Sequence, residues 1–353
     1  MKDYYSSADF FKMTKYDAHA HYHTFDDLIV RKAKKANIRL LSINTNFDVH
    51  TIDKQFEISQ YLHQRHPQTF DFICTFDASA FASKTFVEDS VAHIKKCMAA
   101  GARGVKIWKN IGMTLKNEAG QYIMADDPVF APIFAFLEKE KIPLLAHLGE
   151  PRNCWLPIER MTTSIDRKYF SKNPDFHMYL HPEAPSYEQQ IMALDCILER
   201  YSDLTFVGAH LGNIDWNLEE AAKRLERFPN FYMDISGRFA HIVEQTLRNR
   251  NQVIDFFQTY HNRIMYGSDY FVPQNTGVKW LIRFCKYFPP IVCLDKLFRY
   301  PCQTIKKHWL FFATDNVIKS GKKYFKGLKL EKRIIDHLFF ENIRYVYYKN
   351  CQT

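Results

Sequence analysis

No Cys-x-x-Cys pair occurs in the sequence, and its eight cysteines are scattered. Such spacing reads as reduced, mostly buried thiols of a cytoplasmic protein. No long uncharged apolar run is present, which argues against a transmembrane helix. The opening "MKDYYSSADFFKM" lacks the apolar stretch of a secretory signal. Also missing are a Gly-x-Gly-x-x-Gly turn after the first strand-like run and a Gly-Lys-Ser/Thr phosphate loop, so the usual marks of a nucleotide-binding doubly wound sheet are absent. Neither a short-period repeat nor a Gly/Ser linker divides the chain, and the expectation is one domain over residues 1–353.

What is present is an ordinary globular balance, 46% hydrophobic and 25% charged, rich in Phe (30) and Tyr (20). These rings supply aromatic surface to a core or a pocket. The net charge of +9 is unevenly spread. From Tyr270 to Thr353 there are 16 Lys+Arg against 5 Asp+Glu, so the remainder of the chain carries about −2. A basic run such as "SGKKYFKGLKLEKR" most often forms a solvated face. A nucleic-acid partner is therefore ranked well below a small-molecule substrate. Homo-oligomerisation is left open.

The first 270 residues alternate between short β-rich runs and helical patterns. The runs are 15–21, 38–44, 69–77, 103–108, 142–148, 204–210, 231–236 and 263–269. Helix signals stand between them: Thr85 with Glu88 at capping-box spacing, Asp127 before Pro128, and Ser186 with Gln189. Eight βα units with nearly continuous apolar strands close most simply into a (β/α)8 barrel, an α/β TIM barrel. Two connections exceed a plain barrel turn. One is a lid-like loop over 148–185, after strand five. The other is a basic insertion over 270–330, after strand eight, expected to hold helices of its own. Both leave the carboxyl ends of strands, where barrel enzymes build their sites.

At those ends stand His19 and His21 (strand one), His147 (five), His210 (six) and Asp269 (eight), with Lys106 inside strand four. The gaps are 126 residues from His21 to His147, then 63 and 59. Alternate residues of a strand share a face, so His19 and His21 point together. Neutral imidazoles and a carboxylate suit a borderline divalent cation, zinc first, with manganese as a rival. Such a cation lowers the pKa of a water, and a carboxylate beside it accepts the proton. Three readings of Lys106 stay open: a carbamylated metal bridge, a substrate-carboxylate partner, and a side chain that snorkels outward. His23 reads as a bystander. Arg238 is a candidate anion clamp. Trp108, Lys109, Asn110 and Met113, and His181 with Glu150, Arg152, His177 and Tyr179 in the long loop, are candidate substrate contacts.

The stretches "DAHAHYH", "PLLAHLGEP", "LTFVGAHLGN", "NFYMDISGR" and "RIMYGSDY" together resemble the amidohydrolase superfamily. They are most similar to its branch of metal-dependent hydrolases and decarboxylases related to aminocarboxymuconate-semialdehyde decarboxylase. The closing "FFENIRYVY" resembles that branch's last helix. The resemblance implies a metal-dependent-hydrolase type of TIM barrel. It implies His19, His21, His147 and Asp269 as ligands of one metal rather than two, with His210 beside the metal water and Asp269 doubling as proton acceptor. The implied activity is hydrolysis of an ester, lactone or amide of a small, carboxylate-bearing molecule. Non-oxidative decarboxylation of an unsaturated or aromatic acid is the alternative.

Overall fold

The computed structural model describes residues 3–46, 50–272, 302–320 and 323–349. All eight expected runs form strands: β1 Lys15–Tyr22, β2 Ile38–Ile43, β3 Phe70–Thr75, β4 Val105–Ile107, β5 Leu144–Ala146, β6 Phe206–Gly208, β7 Phe231–Asp234 and β8 Ile264–Met265. They pair in parallel and in sequence order. A short ninth strand, β9 (Tyr270–Val272), resumes the path of β8 and pairs with β1. Between β8 and β9 the Ala18 amide donates to Tyr266 O at 3.1 Å and the Asp269 amide to His19 O at 2.8 Å. The eighth stave thus closes on the first, and the fold is an α/β TIM barrel.

Two apolar layers explain the uninterrupted hydrophobic strands. Leu40, Phe70, Phe72, Val105, Leu144 and Phe206 face outward under the helices. Tyr16, Leu41, Ile43, Ile73, Leu145, Val207 and Met265 face inward. The last helix, Asn342–Tyr348, plugs the bottom of the barrel with Ile343, Val346 and Tyr347. Lys106 lies between outward-facing Val105 and Ile107, so it points into the barrel rather than snorkelling out.

β1 carries an irregularity that the sequence does not announce. Asp17 pairs with Leu40 and Ala20 with Ser42, so three steps on β1 match two on β2. This β-bulge switches the inward face from Tyr16 and Ala18 to His19 and His21. Ala20 and Tyr22 then join the outer layer.

The Ser186–Gln189 capping box forms as expected, and Asp127 caps Val129 N. The Thr85 capping box does not: Thr85 is the N-cap, but its hydroxyl donates to Asp89 at 2.7 Å instead of accepting from the helix. The loop after β5 is a series of short 3-10 turns around one helix, Ser164–Phe170. Of the insertion after strand eight, residues 273–301 lie outside the described residues. The rest is a helix, Cys302–Ala313, and an antiparallel hairpin of β10 Val317–Ser320 and β11 Lys323–Lys326. The insertion is therefore not wholly helical, because the alternating "VIKS" and "KYFK" suit two short strands.

Candidate metal centre

The carboxyl ends of the strands surround a cavity of about 450 Å³ lined by His19, His21, Thr45, Lys106, Trp108, His147, Tyr169, His210, Asp269 and Phe271. Six of the sequence candidates thus meet with Trp108 at one mouth. Within the cavity one nitrogen each of His19 and His210 and a carboxylate oxygen of Asp269 lie within 4.8 Å of one another. His21 Nε2 stands 3.5 Å from Asp269 Oδ1, and His19 Nε2 stands 3.8 Å from it. His147 Nδ1 is 3.2 Å from His210 Nε2. The tightest group is therefore His19, His210 and Asp269, with His21 and His147 flanking it.

Hydrogen bonds fix the tautomers. His19 Nδ1 faces Asp234 Oδ2 at 2.8 Å, so it carries the proton and donates. His21 Nδ1 donates to Ile43 O at 2.9 Å and His210 Nδ1 to Ser236 O at 2.8 Å. In all three rings Nε2 keeps its lone pair. Because His210 Nε2 is an acceptor, His147 Nδ1 donates to it, which leaves His147 Nε2 as the lone-pair nitrogen. His19 Nε2 and His147 Nε2 are buried without a hydrogen-bond partner. Buried lone pairs that find no donor are costly unless something absent from the polypeptide satisfies them. The donor set therefore fits a divalent cation.

Burial keeps His19, His147 and His210 neutral. It lowers the pKa of His19 and His147, and His210 falls to about 3. For Asp269, burial raises the pKa, but the neighbouring His210, His21 and His19 outweigh it and hold the carboxyl well below its usual range. Lys106 is 1% exposed, with its Nζ unpartnered. Burial lowers its pKa to about 8, against the pull of Asp234 and Asp269.

The frame beneath the ligands is strained. Asp269 has φ 59°, and His210, Leu211, Gly212 and Asn213 form a left-handed run with φ of 60, 58, 60 and 58°. Each non-glycine residue there costs roughly 1–2 kcal/mol. Buried polar contacts hold the run: the His210 amide donates to Asp234 Oδ1 at 3.0 Å, and Asn213 Nδ2 donates to Leu148 O at 2.6 Å. Asp17 on β1 accepts from the Ser268 amide and hydroxyl at 2.7 and 2.5 Å, which seats the segment carrying Asp269. Gly237, at φ 66°, is required because a Cβ there would lie 2.9 Å from Asp269 Oδ2.

Several candidates sit elsewhere. Arg238 does not line the cavity: it is buried, its Nη2 donates to Asn213 Oδ1 at 2.9 Å, and its Nε pairs with Asp215 at 3.8 Å. Those partners already use its charge. Lys109 pairs closely with Glu150 and does not line the cavity. His181 is turned to Pro174 O at 3.1 Å, within its own loop. His23 is buried, its ring 4.3 Å from that of Phe271. The residues not anticipated are Asp234, Ser236, Tyr169, Thr45 and Phe271. Asp234 had a visible signal, since it ends strand seven as Asp269 follows strand eight.

A family model described as amidohydrolase matches residues 76–290. The matched span begins beyond β1, so the His19–His21 pair lies outside it. Among solved structures, an amidohydrolase II is 15% identical with a TM-score of 0.52, covering 94% of this chain and 99% of its own. A 2,6-dihydroxybenzoate decarboxylase from Rhizobium is 13% identical with a TM-score of 0.50, covering 98% of this chain and 99% of its own. At such identities the likeness shows the fold. A comparison with curated protein sequences finds no significant match. No helix among the described residues is long and apolar enough to cross a membrane.

Proposed function

The chain belongs to the amidohydrolase family and is an enzyme, and we propose that, acting as one unit over residues 1–353, it is a metal-dependent hydrolase of an ester, lactone or amide in a small carboxylate-bearing molecule. The observation that carries the reading is the convergence of His19, His210 and Asp269, with the Nε2 atoms of His19 and His147 left buried and unmatched beside them. One cation rather than two is favoured, because a single donor group of this kind occurs among the described residues. Zinc suits the imidazole-rich set best, with manganese the rival. His19, His21, His147 and Asp269 would hold it, with His210 beside them.

When bound, such a cation supplies a water acidic enough to lose its proton near neutral pH. Asp269, whose side chain is 35% exposed and opens on the cavity, accepts the proton of the attacking water. His210 stands beside that water, its Nδ1 committed to Ser236 and its Nε2 to His147. Lys106 offers an unpaired cation to a substrate carboxylate. Among the readings of Lys106, this one matches its inward direction and its lack of a protein partner.

A second reading, decarboxylation of an unsaturated or aromatic acid, is favoured by the three rings on the wall, Trp108, Tyr169 and Phe271. Elemental analysis after reconstitution tests the first requirement: near-stoichiometric zinc or manganese is expected, and a protein that retains neither refutes the mechanism. A panel of lactones, esters and aromatic acids, followed by acid release and CO2 together, then separates the reactions. Acid without CO2 supports hydrolysis; CO2 without new acid supports decarboxylation.

A further inference from the structure

The loop after β5 has a small core of its own, in which Cys154, Met161, Phe170 and Met178 pack with Met113, apart from the barrel layers. Its helix, Ser164–Phe170, serves two sides. Tyr169 forms part of the cavity wall, while Asp166 is buried in the protein. Asp166 Oδ2 accepts from Asn153 Nδ2 at 2.7 Å and from His241 Nε2 at 2.9 Å. His241 lies on the helix Phe239–Arg248 that follows β7. The same Nε2 is 2.8 Å from Asp215 Oδ2, which also faces Arg238 Nε at 3.8 Å. All four groups are buried.

The cluster balances two carboxylates against an imidazolium and a guanidinium. Burial by itself would lower the His241 pKa, but the two carboxylates lift it to about 9. Arg238 extends the chain of contacts to Asn213, and Asn213 to Leu148 O and Gly149 O, beside His147. The loop helix is thus joined through ionic contacts to the left-handed turn that carries His210. A core of five buried apolar side chains, with four partly buried ones against it, is slight for a loop of this length, and removing one partner of a buried pair leaves the other charge uncompensated.

We infer that Tyr169 is a specificity-determining wall of the substrate cavity, and that Asp166 and His241 are the positioning residues that hold it there. The Tyr169 half rests on the reading of the cavity as the substrate site; the Asp166–His241 half stands on geometry alone.

The test uses the full chain loaded with zinc, with Asp166→Asn and His241→Gln as separate variants. Hydrogen exchange in residues 164–170 is expected to quicken about tenfold or more in both, with β3 exchange and zinc content unchanged. Unchanged exchange in 164–170 overturns the anchoring. So does a matching loss of protection in β3, which would make the cluster a prop of the whole barrel. Benzoate, a flat carboxylate, probes the other half by calorimetry. Tyr169→Ala and Asp166→Asn should each weaken it several-fold, and the double variant should be no weaker than Tyr169→Ala alone. Additive losses, or no benzoate binding by the wild-type protein, overturn the role of Tyr169 while zinc content reports separately on the metal centre.

Discussion

Two lysines are buried in this barrel at opposite ends, and their surroundings differ. Lys15, at the start of β1, donates to Phe10 O, Met13 O and Ala36 O at 2.5, 2.8 and 2.8 Å. Lys106, near the mouth, donates to nothing. Burial depresses both to about 8. At the bottom the chain has used a cation to close its own structure, collecting three carbonyls that the N-terminal turn and the helix Leu28–Lys35 leave over. At the top the same chemistry is left open. His19 Nε2, His147 Nε2 and Lys106 Nζ are unmatched there, and the left-handed residues His210 and Asp269 sit there too. A folded chain tolerates such open groups where an outside partner completes them. The contrast separates the end that stabilises from the end that acts.

The largest effect expected is at the open end. Asp269→Asn keeps the shape and removes the proton acceptor, so kcat on any substrate found in the panel should fall about 10²–10⁴-fold. Steady-state kinetics with metal content in parallel will show whether chemistry or metal was lost. At the closed end the effect should fall on stability instead. Lys15→Ala strands three carbonyls and leaves a cavity, and unfolding free energy should drop by roughly 3–5 kcal/mol with kcat kept at low temperature. Denaturant unfolding checks this; a loss of activity in the still-folded variant would break the division between the two ends.

How much of this division the sequence carried depends on the kind of signal. Strand-end residues were legible because buried parallel strands read as apolar runs and their polar exceptions stand out: His147, His210 and Asp269 were found in this way, and the barrel that unites them followed from eight such runs. The bulge in β1 was not legible, since a shift of pairing by one residue leaves no mark in the amino-acid pattern. The left-handed turn that carries His210 after β6 was likewise hidden. The place of Arg238 was hidden for a related reason. A guanidinium after a strand end has the right chemistry for a clamp, but Asp215 and Asn213, which occupy it, are far enough away in sequence to go unnoticed.

The two lysines give the next prediction a sign. The pKa of Lys106 in the folded protein is about 8 against 10.5 for the free side chain. The folded state therefore binds fewer protons than the unfolded state between those values, and stability rises with pH across that window. Below about pH 8 the full penalty of the buried charge is present. Lys106→Met should then stabilise the protein at pH 7 by on the order of 2–3 kcal/mol. The gap to wild type should close as pH climbs toward 10, Lys15 being common to both. The same variant should lose affinity for benzoate. A destabilised Lys106→Met would mean that the amine has a protein partner after all, and the open end would look more like the closed one.

The smallest effect concerns how the open end is held open. Asp234 serves both inner imidazoles: its Oδ2 takes the His19 Nδ1 proton at 2.8 Å, and its Oδ1 accepts from the His210 amide at 3.0 Å and the Ser236 hydroxyl at 2.5 Å. Ser236 Oγ in turn lies 2.9 Å from His210 Nδ1. One carboxylate thus sets the tautomer of one ring directly and braces the backbone under the other. Asp234→Asn offers an amide that can still accept but presents a donor where a carboxylate oxygen stood, so His19 is free to turn or to move its proton to Nε2. Zinc affinity, measured by competition with a chelator, should fall about 10–100-fold, the usual cost of losing such a partner. Ser236→Ala should weaken zinc less, because the Ser236 carbonyl still accepts from His210 Nδ1 at 2.8 Å. If the order of the two variants reversed, the imidazoles would be held chiefly through the hydroxyl, and Asp234 would belong with Lys15 among the groups that stabilise the barrel rather than with the site.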